Sequence, residues 1–212
     1  MLLYYITDRT QFSGDEASRR AKLLDRIGSA ARAGVNYIQL REKDLPAREL
    51  ETLAREAVER VRAAGQKTWL LVNSRVDVAL AAGADGVHLP AGDISPIDAR
   101  RIFAAAGINA AIIGVSCHSV DEVRRALAEG ADVAVFGPVF EKDGAAGVGL
   151  KRLGEACAAS PGLPVLPVLA LGGVTPENAG ECVRAGAAGV AGIRLFQNGD
   201  LERTLTAFGS MQ

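Results

Sequence analysis

The feature that most constrains the fold of this chain is a regular alternation of short, β-branched apolar runs with longer helical patterns. Eight runs have the composition of buried strands, and a helix pattern follows each of them. These runs span residues 2–7, 36–41, 68–73, 86–89, 111–116, 133–136, 165–171 and 190–194. Successive strands joined by crossover helices must be parallel, so the alternation predicts an α/β fold.

Capping residues mark where the helices begin and end. Residues 48–64 place apolar side chains at helical spacing, and residues 119–128 begin with a capping-box pair, Ser119 and Glu122. Residues 175–185 are predicted to begin at Thr175, with Pro176 in the first helical position. Helix-ending glycines are predicted at Gly34, Gly65, Gly83, Gly107, Gly130 and Gly186.

A weak internal repeat indicates that the sheet closes into a barrel. The segments at 33–41, 82–90, 129–137 and 185–193 each combine a helix-ending glycine, a short turn and an apolar strand, and they mark every second strand. The rival, an open doubly wound sheet, needs a glycine-rich fingerprint after the first strand, and residues 8–13 contain none. With no linker or low-complexity segment, the prediction is a single (β/α)₈ TIM-barrel domain over residues 1–212.

Composition excludes several classes of protein. The net charge is −1 and aromatic residues make up 5% of the chain, which argues against a nucleic-acid partner. Three scattered cysteines form neither a disulfide framework nor a zinc motif. The first residues do not resemble a signal peptide and no apolar run reaches membrane-spanning length, so we expect a cytoplasmic protein without a membrane partner.

In a TIM barrel, the active site lies at the carboxyl ends of the strands. The segments after strands seven and eight supply the phosphate-binding candidates Gly172, Gly173, Ile193 and Arg194. Glycine lets bare backbone N–H groups approach an anion, and Arg194 adds a charge-assisted contact. The alternative interpretation is that the glycines only form tight turns.

Gln39, Arg41 and Lys43 alternate at the end of strand two, so their side chains share one side of the segment. If that side faces the barrel mouth, two cations and an amide meet an anionic substrate. The alternative is a rim in which these cations form salt bridges with Glu42, Asp44 or Asp77.

Four further strand-end residues are candidates for contact with a ligand. Asn73 and Ser116 are small polar groups suited to fixing a heterocycle, although each is also typical of a turn or cap. Asp93 is a candidate Mg²⁺ ligand or, alternatively, a cap for the helix that begins near residues 95–96. His118 is the candidate general acid/base, with a role beside the helix cap as its alternative.

Taken together, these residues resemble the thiamine phosphate synthase/TenI superfamily. The resemblance rests on seven stretches: YYITDR (4–9), YIQLREK (37–43), VNSRVDVALAAGADGVHLP (72–90), IGVSCHS (113–119), ADVAVFGPVF (131–140), LALGGVTPENA (169–179) and AGAAGVAGIRLF (185–196). It implies a (β/α)₈ barrel that handles thiazole phosphate in thiamine biosynthesis, with the phosphate held by the glycine segments. The family often forms dimers, so a homodimer is compatible with the resemblance.

The superfamily contains two activities. Thiamine phosphate synthase joins hydroxymethylpyrimidine diphosphate to thiazole phosphate and uses Mg²⁺. Its third-strand motif is normally Asn-Asp-Arg, whereas this chain has Ser74 in the middle position. The segment 140–150 contains Lys142 but not the threonine-rich stretch of that branch, and Arg194 replaces a small hydroxyl residue.

The second activity, thiazole tautomerase, moves a proton on a carboxythiazole phosphate and needs no metal cofactor. In that branch His118 would carry the proton and Arg41 would pair with the substrate carboxylate. This chain lacks several residues that hold the metal and the diphosphate in the synthase branch, and their absence favours the tautomerase interpretation. The alternatives are a synthase whose Mg²⁺ is held by Asp93, and a non-catalytic barrel that senses a thiamine precursor. The synthase pattern is still matched by Gln39, Arg41, Lys43, Asp93 and Ser116.

Overall fold

Eight parallel strands close into a barrel in sequence order, β1 to β8, as the alternation predicts. The computed structural model describes residues 1–141, 144, 146–159, 165–198 and 201–209. The strands span Leu2–Ile6 (β1), Tyr37–Leu40 (β2), Trp69–Asn73 (β3), Gly86–Leu89 (β4), Ile112–Cys117 (β5), Val133–Phe136 (β6), Val168–Ala170 (β7) and Gly189–Gly192 (β8). The (β/α)₈ barrel is therefore confirmed.

Helices connect the strands around the outside of the barrel. Over the described ranges they span Glu16–Arg32 (α1), Ala47–Ala63 (α2), Val76–Ala82 (α3), Pro96–Ala105 (α4), Val120–Ala128 (α5), Gly149–Ala158 (α6), Ala179–Arg184 (α7), Arg194–Gln197 (α8) and Leu201–Gly209 (α9). Both α8 and α9 follow the last strand. The short α8 begins directly at the mouth of the barrel, two residues after β8 ends.

Local sequence signals account for most of the helix ends. The Ser119 hydroxyl accepts a hydrogen bond from the Glu122 N–H at 3.2 Å and begins α5. Ser95 does the same for Asp98, with Pro96 in the first turn of α4. All six glycines predicted to end helices have positive φ angles, which confirms those helix ends.

The prediction for the helix after β7 is wrong at its start. The helix begins at Ala179 rather than at Thr175. Instead, the Asn178 side chain accepts a hydrogen bond from the Thr175 N–H at 2.8 Å and donates one to the Gly173 carbonyl at 2.9 Å. The side-chain amide competes with the helix for these backbone groups, so residues 175–178 form a loop that supports the glycine pair.

Six predicted strands differ from the observed ones at their ends. Strand β1 ends at Ile6, β2 spans Tyr37–Leu40, β3 begins at Trp69 and β5 spans Ile112–Cys117, each within one residue of the predicted bounds, and the differences are larger in β7 and β8. Strand β7 begins at Val168 rather than at residue 165, because Pro167 has no N–H to donate to the sheet and Val165 is 59% exposed. Strand β8 ends at Gly192, and Arg194 is the first residue of α8 rather than the last residue of the strand. This places Arg194 on the short helix that follows the barrel.

Apolar side chains fill two separate layers. The larger layer lies between the sheet and the helices and includes the buried stripe Leu50, Leu53 and Ala57 of α2. The smaller layer lies inside the barrel, where side chains of alternate strand positions meet. Its buried members are Tyr4, Ile6, Leu71, Val133, Val135, Leu169 and Ala191.

Across the described parts of the chain, none of the helices has the length and apolar character needed to cross a membrane.

Candidate active site

A cavity of about 840 Å³ opens at the carboxyl ends of the strands. It is lined by every site residue predicted from the sequence except Asp93: Gln39, Arg41, Lys43, Asn73, Ser116, His118, Gly172, Gly173, Ile193 and Arg194. The structure therefore brings together side chains and backbone from five different strand ends, as expected for a barrel of this kind.

The glycine segment after β7 gives the cavity an open backbone wall. Gly172 and Gly173 have φ angles of +93° and +64°, a region that side chains other than hydrogen disfavour. A Cβ on Gly172 would lie 2.5 Å from the Pro138 Cβ, and one on Gly173 would lie 2.6 Å from the Glu141 carbonyl oxygen. Only glycine fits at these two positions, and α8 begins beside them with Arg194. This combination of a strand-seven loop and a short extra helix is the recurrent phosphate site of TIM barrels.

The cationic side of the cavity is held by buried hydrogen bonds beneath it. The Thr7 hydroxyl accepts from the Arg41 N–H at 2.9 Å and donates to Glu42 Oε1 at 2.6 Å. Thr7 and Glu42 are both buried, so they fix the backbone at the end of β2. The side chains of Arg41 and Lys43 consequently line the cavity from a rigid segment.

The neighbouring carboxylates bond to a different arginine. Arg9 is buried, and it bonds Glu42 at 3.1 Å and both oxygens of Asp44 at 2.7 Å. Hydrogen bonds from Arg9 lower the pKa of Asp44 to about 2, whereas burial raises the pKa of Glu42 despite its hydrogen bonds. Glu42 and Asp44 are thus bonded to Arg9, and Asp77 is bonded to Arg75. Among the described residues, none of these three carboxylates forms a salt bridge with Arg41 or Lys43, so the alternative rim is not formed.

His118 has a defined orientation at the end of β5. Its Nδ1 lies 2.7 Å from the Gly137 carbonyl oxygen, which only accepts, so Nδ1 carries the proton. In the neutral ring Nε2 is then the nitrogen that can take a proton. The backbone N–H of His118 also donates to Glu122 Oε2 at 2.5 Å, so the helix-cap role belongs to the backbone and leaves the ring available.

The adjacent thiol is not a nucleophile candidate. Cys117 points into the layer between sheet and helices, where it is 1% exposed. Burial raises the pKa of its thiol to about 12 and keeps it protonated.

Asp93 lies beside the cavity rather than on its wall. The Ser74 hydroxyl donates a hydrogen bond to Asp93 Oδ2, and the other carboxylate oxygen accepts from the Ile94 N–H at 2.8 Å. Ser74 has a φ of +62°, an unusual conformation for a residue with a side chain. The helix-cap alternative for Asp93 is wrong, because Ser95 caps α4.

Asp93 and Ser74 are the residues here that could hold a magnesium ion. Within the described ranges, no three His, Cys, Asp or Glu side chains cluster to hold a metal. Asp93 supplies one carboxylate, and Mg²⁺ binds in phosphate-containing sites with one or two carboxylates when the substrate supplies further oxygens. Lys142, the other cation considered from the sequence, lies outside the described residues.

The sequence analysis did not identify Tyr4 as a residue near the site, and it did not establish whether the His88 side chain points into the barrel. Both side chains are buried inside the barrel, where Tyr4 Oη lies 2.7 Å from His88 Nδ1 and His88 Nε2 lies 2.9 Å from Ser116 Oγ. The available signal was the strand alternation, which places Tyr4 and Ile6 on one side of β1. It does not say which side faces the barrel interior.

A closed (β/α)₈ barrel with a glycine-lined segment after β7 and a short helix after β8 is the arrangement found in TIM-barrel enzymes that act on phosphorylated substrates. The family description "Thiamine monophosphate synthase" matches residues 3–196, and the chain belongs to this family.

Individual relatives support the same assignment. A putative thiamine-phosphate synthase of Geobacter sulfurreducens is 43% identical over 189 residues, covering 89% of this chain and 83% of that protein. A thiamine-phosphate synthase of Roseiflexus castenholzii is 41% identical, covering 91% and 79%. Among solved structures, the thiamine phosphate pyrophosphorylase of Pyrococcus furiosus superposes with a TM-score of 0.80 at 29% identity, covering 99% of this chain and 94% of that one.

The comparisons confirm the superfamily predicted from the sequence. The comparisons favour the synthase alternative of the sequence analysis over the tautomerase interpretation, because the family and these relatives carry names of the synthase.

Proposed function

We propose that this protein is a thiamine-phosphate synthase that joins hydroxymethylpyrimidine diphosphate to thiazole phosphate and releases diphosphate. The observation that carries the proposal is the presence of two anion-binding segments in one cavity. Arg41 and Lys43 lie at the end of β2, and Gly172, Gly173 and Arg194 lie at the ends of β7 and β8, with β1 between the two groups. A reaction between a diphosphate and a monophosphate needs two such segments.

The chemistry follows from this division. A carbon–nitrogen bond forms between the two heterocycles while the carbon–oxygen bond to diphosphate breaks, and the electron pair leaves with the diphosphate. Arg41 and Lys43 stabilise the charge that develops on that leaving group. The glycine backbone and Arg194 bind the phosphate of the thiazole, and Asn73 and Ser116 orient the pyrimidine through hydrogen bonds.

Mg²⁺ would supply additional neutralisation of the diphosphate charge. Asp93 is the carboxylate that would hold it, with Ser74 beside it. Ser74 stands where the synthase branch normally has a second carboxylate, so we expect Mg²⁺ to bind weakly through the protein and mainly through the substrate.

Thiazole tautomerase is the second candidate function. It is favoured by the orientation of His118, whose Nδ1–H donates to the Gly137 carbonyl and whose Nε2 is the basic nitrogen in a ring that lines the cavity. Transfer of a proton on a bound thiazole phosphate requires that base and the phosphate-binding segment but no metal.

A paired turnover assay separates the two candidates. One reaction contains thiazole phosphate, the pyrimidine diphosphate and Mg²⁺, and the other contains the carboxythiazole phosphate tautomer with a chelator. Thiamine phosphate formation in the first reaction, lost with the chelator, supports the synthase. Turnover only in the second reaction, abolished by His118→Asn, refutes the synthase and supports the tautomerase. Binding of thiazole phosphate without turnover of either would indicate the non-catalytic precursor sensor.

Substitution of Ser74 tests the metal role of Asp93. Aspartate tolerates the positive φ of this position, so Ser74→Asp adds a carboxylate beside Asp93 with little backbone strain. We expect a lower Mg²⁺ concentration for half-maximal synthase activity, whereas the uncharged isostere Ser74→Asn should not lower it. An unchanged Mg²⁺ requirement in Ser74→Asp would contradict metal binding at Asp93.

A further inference from the structure

A chain of polar side chains crosses the interior of the barrel, where apolar residues otherwise fill the space. Tyr4, Gln39 and His88 are 0%, 2% and 2% exposed and lie on three different strands. Gln39 Nε2 lies 3.3 Å from Tyr4 Oη, which lies 2.7 Å from His88 Nδ1, and His88 Nε2 lies 2.9 Å from Ser116 Oγ. Buried polar groups are costly unless their hydrogen bonds are satisfied, and here each polar group finds a partner in the next.

The donors and acceptors permit one direction along this chain. The Gln39 amide nitrogen can only donate, so Tyr4 Oη accepts from it. The single hydroxyl hydrogen of Tyr4 then goes to His88 Nδ1, its other partner. Burial, reinforced by the charge of Arg41, lowers the pKa of His88 to about 3, so the ring is neutral and carries its one hydrogen on Nε2. His88 therefore donates to Ser116 Oγ.

Ser116 ends this chain of hydrogen bonds and lines the cavity, as Gln39 and His88 also do. Its oxygen already accepts from His88, so its own hydroxyl hydrogen is free to turn toward a bound molecule. We propose that Tyr4 and His88 are positioning residues that fix Ser116 as a hydrogen-bond donor to an acceptor atom of the substrate. The expected effect of Tyr4 and His88 on turnover rests on the proposed synthase function. The direction of the hydrogen bonds from Gln39 to Ser116 does not depend on it.

The neighbouring strand makes room for the imidazole. Gly114 pairs with His88 in the register of β4 and β5, and a Cβ at Gly114 would lie 2.8 Å from His88 Nδ1. Any larger residue at this position would displace the ring nitrogen that accepts from Tyr4. The glycine within β5 is thus accounted for by the placement of His88.

The first test is the tautomer of His88 in the unmodified protein. Nitrogen-15 NMR of histidine-labelled protein at pH 7.5 distinguishes the two ring nitrogens, and His118→Asn assigns the two histidine signals. We expect His88 to be the neutral Nε2–H form, with Nδ1 accepting a hydrogen bond. An Nδ1–H form or a charged ring would overturn the proposal without reference to any activity.

The second test is a double-mutant cycle on synthase turnover. Tyr4→Phe keeps the ring but removes the donor to Nδ1, so Ser116 loses its fixed orientation. We expect kcat/KM to fall about 5- to 20-fold, the loss of one oriented hydrogen bond. In the Ser116→Ala background, Tyr4→Phe should change kcat/KM less than about 2-fold, because the two residues act as one unit.

Tyr37→Phe is the matched control. Tyr37 stacks on Tyr4 with ring centroids 5.5 Å apart, so its substitution removes a hydroxyl from the same region without interrupting the chain. It should leave kcat/KM unchanged. Equal effects of Tyr4→Phe with and without Ser116 would show that Tyr4 is merely structural and would overturn the positioning role. If the protein has no synthase turnover, the NMR result alone decides the direction of the chain.

Discussion

Acidification is expected to destabilise this protein through His88. The side chain is 2% exposed, and its burial together with the charge of Arg41 lowers its pKa to about 3. The ordinary value in an unfolded chain is about 6.5. Between these two values the unfolded chain holds a proton on this histidine and the folded chain does not, so lowering the pH favours unfolding. The contribution is present in full above pH 7 and is lost as the pH falls from about 6.5 toward 3.

The magnitude follows from the two pKa values. One pH unit inside the window corresponds to about 1.4 kcal/mol, so a change from pH 7 to pH 5 should cost about 2 kcal/mol of unfolding free energy. Glu42 acts in the opposite sense, because burial raises its pKa and its protonation stabilises the folded state. Glu42 and the other carboxylates are present both in the unmodified protein and in a variant that lacks only His88. Their contributions to the pH dependence therefore cancel when the two proteins are compared.

Urea unfolding followed by circular dichroism at several pH values between 7 and 5 measures the effect. The relevant quantity is the change in unfolding free energy over this range in the unmodified protein minus the same change in His88→Gln. We expect a difference of about 2 kcal/mol. His118→Gln is the matched control, because it makes the same substitution at the other histidine, which is exposed at the cavity. Parallel pH curves for the unmodified protein and His88→Gln would refute the reasoning.

Three further substitutions test other parts of the site. Gly173→Ala should reduce the affinity for thiazole phosphate, measured by calorimetry, at least about 10-fold, because the new Cβ would lie 2.6 Å from the Glu141 carbonyl oxygen. Gly34→Ala is the control: Gly34 also has a positive φ, but a Cβ there would have nothing within 4 Å, so the affinity should not change. Arg9→Met should lower the unfolding free energy by about 3–5 kcal/mol in urea because it leaves Glu42 buried without its cation. Arg60→Met, from the exposed pair with Asp25, should cost about 1 kcal/mol or less. Arg194→Ala should weaken phosphate binding most at low salt, and an unaltered affinity would assign the binding to backbone groups alone.

Much of the barrel was predictable because its signals are local. Strands β4 and β6 have the predicted bounds, and capping by Ser119 and the six helix-ending glycines depends on neighbours in the sequence. The site candidates at the strand ends also followed, since all parallel strands of a barrel point their carboxyl ends at one mouth. Prediction failed where a side chain competed with the backbone, as Asn178 does at the start of α7.

The sequence by itself determined the order of strands and helices, the superfamily, and most of the residues that gather at the mouth. Only the tertiary structure decided how those residues are held. Arg9 binds Glu42 and Asp44 across more than 30 positions of chain, and Tyr4 meets His88 across 84. Such contacts depend on how the barrel closes and on which side of each strand faces inward. Periodicity along a single strand distinguishes two faces, but only the packing of all eight strands determines which face is the interior.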